Sequence, residues 1–191
     1  MRQNPERRTA LIDAAIEVLA DQGARGLTFR AVDQRSGVPT GTASNYFPSR
    51  DVLLTQVGGR VFERLDPGSE AMGESLALPR TRESVDRLMQ ELVGRITAFR
   101  SGYLAMMELR LEATRRPELR AVLTEQIRAN LQDNIDFHLQ SGMPGDADTV
   151  VELYLALNWL IVERLTLPDL FDQARAEALV TALVHRIVPP E

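Results

Sequence analysis

The chain has 191 residues, 44% of them apolar and 26% charged, the balance of a globular protein with one large or two small domains and room for a core. It has no cysteine and no lysine, all 22 basic residues being arginine, which excludes disulfides, thiolate metal sites, cysteine nucleophiles, Walker A loops, Schiff-base lysines and a kinase lysine. The net charge of −5 argues against a general polyanion binder, yet residues 1–65 carry nine arginines against seven acidic residues, while residues 66–191 carry thirteen against twenty.

The opening stretch MRQNPERRTA is polar and runs straight into a helical pattern, so no signal peptide is expected there. No apolar run approaches the ~20 residues of a membrane span, and the expected location is the cytoplasm. Asn4-Pro5 reads as an N-cap followed by proline at the first helical position. Leu11, Ala14, Ala15, Val18 and Leu19 then recur at helical spacing, and Gly23 is the expected end of this first helix. A short second helix follows Thr28 and stops at Ser36-Gly37. A third runs from near Pro39 to before Pro48. Ser49 caps a fourth, which carries Leu54, Val57, Val61 and Leu65 up to Asp66-Pro67-Gly68.

Residues 66–79 read as a long loop. Five further helical patterns follow, at roughly 81–101, 103–115, 117–141, 147–166 and 172–188, with breaks expected at Gly102, Pro117, the SGMPGD turn and Pro168-Asp169. No strand pattern or internal repeat occurs. The expectation is an all-α chain of about nine helices. Its two parts are an N-terminal one over 1–65, with a helix-turn-helix at about 28–47, and a second over 66–191.

The stretch GVPTGTASNYFPSR, residues 37–50, is unusual. A short helix, a glycine-containing turn and a second short helix resting on a longer one form a helix-turn-helix, whose second helix enters the DNA major groove. Such a helix must be narrow and polar outside and anchored by apolar groups behind. Ala43 and Phe47, four apart, share the expected inward face; Thr40 and Ser44 share another, Gly41 and Asn45 a third.

The stretch GARGLTFRAVDQRSGVPTGTASNYFPSRDVLL, with its leading helix, covers about residues 7–58 and resembles the TetR family of transcriptional regulators, most specifically in G-T-x-x-x-Y-F-P-S-R-x-x-L-L. The resemblance implies an N-terminal DNA-binding domain, a C-terminal domain for ligand binding and dimerisation, and no enzymatic activity, catalytic residue, cofactor or metal. It implies that Thr28 holds a phosphate and that Arg30 reaches a base edge, where a guanidinium suits guanine. The groove-facing part of the recognition helix comprises Pro39, Thr40, Gly41, Thr42, Ser44 and Asn45. Tyr46 touches the sugar-phosphate backbone and Arg50 clamps a phosphate. Two simpler readings stand beside these: Arg30 pairs with Asp33 at i,i+3, and Tyr46 is core. The family's usual pattern has Ala at position 33, Leu at 43 and an aromatic at 44, where this chain has Asp33, Ala43 and Ser44; bulky Phe29 is expected to refill the volume that Ala43 leaves.

From Val150 to Val162 only Glu152 and Asn158 are polar, so that helix is apolar around most of its circumference and needs cover on more than one side. With the broad apolar stripe of the final helix, this points to a homodimer in which the last two helices pack on their twins as a four-helix bundle; the resemblance implies the same. Two copies would read two half-sites of a palindromic operator in double-stranded DNA.

The resemblance also implies a pocket for a small-molecule effector of apolar or amphipathic character, for which the candidates are Phe99, Tyr103, Met106, Met107, Arg110, Phe137, His138, Tyr154, Asn158 and Trp159; an ordinary core is the plainer reading of each. Asn158, an amide inside LALNWLI, must find a partner. Glu108, Glu112 and Arg116 read as a solvated face, with Glu112 and Arg116 pairing at i,i+4. Gly58-Gly59, inside the fourth helix, serves either close packing or compliance. The function expected is a ligand-responsive regulator, most simply a repressor; the alternatives are an activator and a helical dimeric interaction protein without ligand control.

Overall fold

The computed structural model describes residues 4–190, so the first three residues of the polar opening stretch and Glu191 lie outside it. Among the described residues there are ten helices and no strand: α1 Pro5–Gly26, α2 Phe29–Ser36, α3 Thr42–Tyr46, α4 Arg50–Leu65, α5 Gly68–Leu76, α6 Arg82–Ala98, α7 Arg100–Ala113, α8 Pro117–Ser141, α9 Ala147–Thr166 and α10 Gln173–Ile187. None of them is long and apolar enough to cross a membrane. The chain is all-α, as its periodicity indicates.

The boundaries follow local chemistry. The Asn4 side chain accepts the N–H groups of Glu6 and Arg7, Thr28 accepts from Ala31, and Ser49 accepts from Val52, each satisfying donors that a helix start leaves open. Asp146 and Thr149 cap α9 reciprocally.

Three expectations need correction. The loop expected over 66–79 contains α5, a helix with no buried residue, whose Gly68, Gly73, Ser69 and Ser75 are poor helix formers and read as loop. Gly23 bends α1 (φ 67°, ψ −178°) and the helix continues to Gly26. The break expected at Gly102 lies at Phe99, and Gly102 is buried inside α7 because a Cβ there would sit 2.2 Å from the Phe99 ring.

The chain forms two compact units, one of residues 1–66 with 99–127, the other of 67–98 with 128–191. The sequence-based division after residue 65 therefore meets the first boundary, but residues 99–127 pack with the N-terminal helices. In this first unit Leu11, Ile16 and Leu19 of α1, Val32 of α2, Phe47, Leu53, Leu54 and Val57 of α4, and Leu109 of α7 form one buried core. Arg60 of α4 binds the Asp13 carboxylate through two nitrogens, at 2.9 and 3.1 Å, and Ser101 donates to Glu17 at 2.7 Å. Gly58 is buried where α4 meets Leu109, Leu123 and Gln126; its added Cβ would lie 2.9 Å from the Gln126 Oε1. That oxygen ends a flexible side chain and the Leu109 and Leu123 methyl groups lie at an ordinary 3.7 Å, so the packing around Gly58 is close without demanding a glycine.

In the second unit Val85, Met143, Leu153, Val184 and Val188 form a core. Thr181 of α10 donates to Asp86 of α6 at 2.9 Å, and Gln90 donates to the Glu177 carbonyl at 2.9 Å.

Candidate nucleic-acid interface

The turn between α2 and α3 uses two left-handed glycines, Gly37 (φ 68°) and Gly41 (φ 94°), a backbone that residues with a Cβ rarely adopt. Gly37 closes α2, its N–H reaching the carbonyls of Asp33 and Gln34. α3 has only five residues, and Gly41 at its N-cap has no side chain to cap it. The cap comes from Asp33, 1% exposed, whose carboxylate accepts the N–H of Gly41 and the N–H of Ala43, both at 2.7 Å. Hydrogen bonds to a charged acceptor contribute about 1.5–3 kcal/mol each, and a buried carboxylate requires such partners. The i,i+3 pair of Arg30 with Asp33 is therefore not what this carboxylate makes.

Behind α3, Ala43 is 0% and Phe47 1% exposed, in the core as their spacing indicates. Phe29 packs against the same core, half-buried. In front, Pro39, Thr40, Ser44 and Asn45 are exposed, and Gly41, Thr42 and Tyr46 are half-buried. The Thr42 hydroxyl donates to the Pro39 carbonyl and the Ser44 hydroxyl to the Gly41 carbonyl, at 2.6 and 2.9 Å, so each oxygen still has a lone pair to offer. The Tyr46 hydroxyl accepts the Asn4 N–H at 3.4 Å, beside the start of α1, while the Tyr46 carbonyl accepts from Arg8, whose guanidinium lies 4.9 Å from the Phe47 ring centroid. Tyr46 also packs against the core.

Thr28 and Arg30 are exposed near the start of α2. Arg50, in the first turn of α4, donates through Nε to the Leu27 carbonyl at 3.0 Å and through Nη2 to the Ala24 carbonyl; its guanidinium closes the end of α1. A cavity of about 440 Å³ lies here, lined by Arg25, Leu27, Thr28, Arg50, Glu112 and Arg116. Arg25 and Arg116 carry no signal in the sequence as binding groups, because neither falls on a contact position that the family resemblance implies and only the fold brings them beside Arg50. Glu112 and Arg116 are not simply a solvated face. The Glu112 side chain is 12% exposed and pairs with both Arg115 and Arg116, which hold its carboxyl below the usual range, and Arg116 also pairs with Asp51. Glu108 is likewise half-buried, accepting the Ala24 N–H.

The ten effector candidates divide between the units. Phe99, Tyr103, Met106, Met107 and Arg110 belong to the first. Met106 is in its core, 7% exposed, and Arg64 stacks 3.7 Å over the Phe99 ring centroid; Tyr103 and Met107 are half-buried and Arg110 is exposed. Phe137, His138, Tyr154, Asn158 and Trp159 belong to the second. Phe137, His138, Tyr154 and Asn158 are half-buried, and the Asn158 amide donates to the Tyr154 carbonyl one turn back at 2.7 Å. Trp159 is 67% exposed beside Leu155 at 63%. The second unit also holds a groove of about 790 Å³ between α6, α9 and α10, with Gln90, Thr97, Arg164, Gln173, Glu177 and Thr181 among its walls beside the buried Val93; it contains none of the candidates.

Residues 80–190 match the family described as "Tetracyclin repressor-like, C-terminal domain", and residues 11–57 match "Bacterial regulatory proteins, tetR family". The chain is 31% identical over 157 residues to the HTH-type transcriptional regulator BetI of Rhizobium meliloti, covering 78% of this chain and 72% of that protein. It is 41% identical over 61 residues to the HTH-type transcriptional repressor KstR of Mycolicibacterium smegmatis, 32% of this chain and 30% of that protein. Among solved structures, a putative TetR-family transcriptional regulator from Rhodococcus sp. shares the fold with a TM-score of 0.74 at 22% identity, over 97% of this chain and 100% of that one. The multidrug binding protein EbrR complexed with ethidium gives a TM-score of 0.69 at 25% identity, over 97% and 100%.

Proposed function

Since the chain belongs to the TetR family of transcriptional regulators, we propose that it is a cytoplasmic repressor that binds a palindromic operator as a homodimer and is released by a small apolar or amphipathic effector. It is a regulator and not an enzyme. The observation that carries the reading is the two-sided character of α3: Ala43 and the adjoining Phe47 are sealed in the core while Thr40, Ser44 and Asn45 face outward. That is what a helix needs in order to enter a groove 12 Å wide while anchored from behind.

In this reading the domain over 1–65 reads DNA and the rest of the chain binds effector and partner. Thr40, Gly41, Ser44 and Asn45 meet base edges, and Arg30 reaches a guanine. Thr28, Tyr46 and Arg50 meet the phosphate backbone, joined by Arg25 from the wall of the same cavity. The exposed stripe of Leu155 and Trp159 on α9 is the face that a second copy covers, with α10 beside it. Support for an amphipathic effector comes from EbrR, similar over 97% of this chain and complexed with ethidium, an aromatic cation. The effector acts by binding better to a dimer whose recognition helices are wrongly spaced. Selection from a random duplex pool at stated salt tests the reading. An inverted repeat with a salt-dependent affinity is expected; a chain that enriches no sequence would contradict it.

A further inference from the structure

We propose that Asp33 is a positioning residue for DNA reading: its buried carboxylate sets the pose of the recognition helix and, through it, the sequence the protein prefers. The inference rests on the operator-binding reading above. Asp33 joins the parts of the motif that must keep a fixed angle. Its main-chain carbonyl accepts the Val38 N–H at 3.0 Å and the Ser36 hydroxyl at 3.2 Å, which ties down the end of α2 and the turn. Its carboxylate takes the Gly41 and Ala43 N–H groups at 2.7 Å, which ties down the start of α3. The turn between contains two glycines of left-handed backbone, and α3 has no side-chain cap of its own, so this carboxylate is the side-chain tie that joins α2 to the start of α3 beside the main-chain bonds of the turn.

The same contacts decide what α3 offers to DNA. Free N–H groups at a helix start draw phosphate. Here two of them already face a negative charge, so this end of α3 does not take a phosphate, and reading falls to the exposed Thr40, Ser44 and Asn45.

Asp33→Asn tests the inference on the full-length protein. The amide is nearly the same size, and its oxygen retains one of the two N–H partners, but its NH2 group opposes the other. Affinity is measured for the duplex selected by the wild-type chain and for a scrambled duplex of equal length at the same salt, with amide hydrogen exchange followed at Gly41 and Ala43. The selected duplex is expected to bind about tenfold more weakly, with faster exchange at Gly41 or Ala43. The scrambled duplex should bind as before or more tightly, because a negative charge has been removed. A purely electrostatic effect would tighten both duplexes, and a purely structural one would lower the melting temperature with the preference of the folded fraction intact; either result overturns the proposal. So does a variant whose preference and exchange match the wild type. A wild-type chain that prefers no duplex defeats the operator reading itself, visible before any variant is made, and the recognition role falls with it. Asp33→Ala, which removes both acceptors, should extend the same loss; where it does not fold, Asp33→Asn decides alone.

Discussion

Glu108 of α7 accepts the backbone N–H of Ala24 at 2.8 Å, across 84 positions of sequence. On the other side of the same turn Arg50 of α4 donates to the carbonyls of Ala24 and Leu27. The segment after the Gly23 bend is thus held by a carboxylate on its donor and a guanidinium on its acceptors. Glu108→Ala is expected to lower unfolding free energy by about 1–3 kcal/mol, and Glu108→Gln by less, because an amide oxygen still accepts. Urea unfolding measures both; an unchanged midpoint for the alanine variant would mean that water substitutes freely for the carboxylate.

Arg50 and Arg25 line one cavity yet differ in their ties. Arg50→Ala should lower both the melting temperature and DNA affinity, because the side chain bonds two carbonyls. Arg25 is exposed. Arg25→Ala should leave melting unchanged while reducing the salt slope of DNA binding by about one. Affinity titrations at several salt concentrations separate the two; an unaltered slope for Arg25→Ala removes it from the phosphate contacts.

Two helical glycines should respond with opposite sign. A Cβ at Gly59 would meet only the Gln126 Nε2, at 3.6 Å, an ordinary contact, so Gly59→Ala should stabilise by up to about 1 kcal/mol through helix propensity. A Cβ at Gly102 would strike the Phe99 ring, which is stacked under Arg64, so Gly102→Ala should destabilise by about 1–3 kcal/mol. Thermal melts of both variants check the pair.

Trp159→Glu places a charge in the exposed apolar stripe of α9, beside Leu155. Sedimentation should show a wild-type dimer and a variant shifted towards monomer, with helical content retained. A variant that stays dimeric would place the dimer contact elsewhere.

The Nε2 of His138 is buried without a hydrogen-bond partner, and burial lowers its pKa from the ordinary 6.5; a hydrogen bond to the Pro144 backbone and the charge of Asp146 pull the other way. Below about pH 6.5 the unfolded chain accepts a proton that the folded chain resists, so this group's effect is absent above that pH and costs stability as pH falls towards the folded value. His138→Gln should flatten the fall in melting temperature between about pH 7 and about pH 5. An identical pH profile would assign the acid sensitivity in that range to other groups; Glu112, whose lowered carboxyl pKa gives stability lost only as pH falls below its ordinary 4.5, acts at lower pH.

Much of the helical layout is legible in the chain because helix starts and apolar stripes are local. Asn4, Thr28 and Ser49 cap what they precede, and the spacing of Ala43 and Phe47 is enough to turn both inward. α5 escapes this reading because its glycines and serines read as loop. Gly102 misleads because the glycine that marks a break in sequence serves here to admit a ring.

The sequence by itself determined an all-α chain, the helix-turn-helix and which face of its short third helix is apolar, since each depends on residues within a turn or two of one another. The tertiary structure alone decided the partners of the charged side chains. Asp33 reaches donors eight and ten positions on, Glu108 an N–H 84 positions back, and Arg50 carbonyls 23 and 26 positions back. The physical reason is reach. A carboxylate or guanidinium fits many partners about equally well, and only the three-dimensional packing of the helices places one of them within 3 Å.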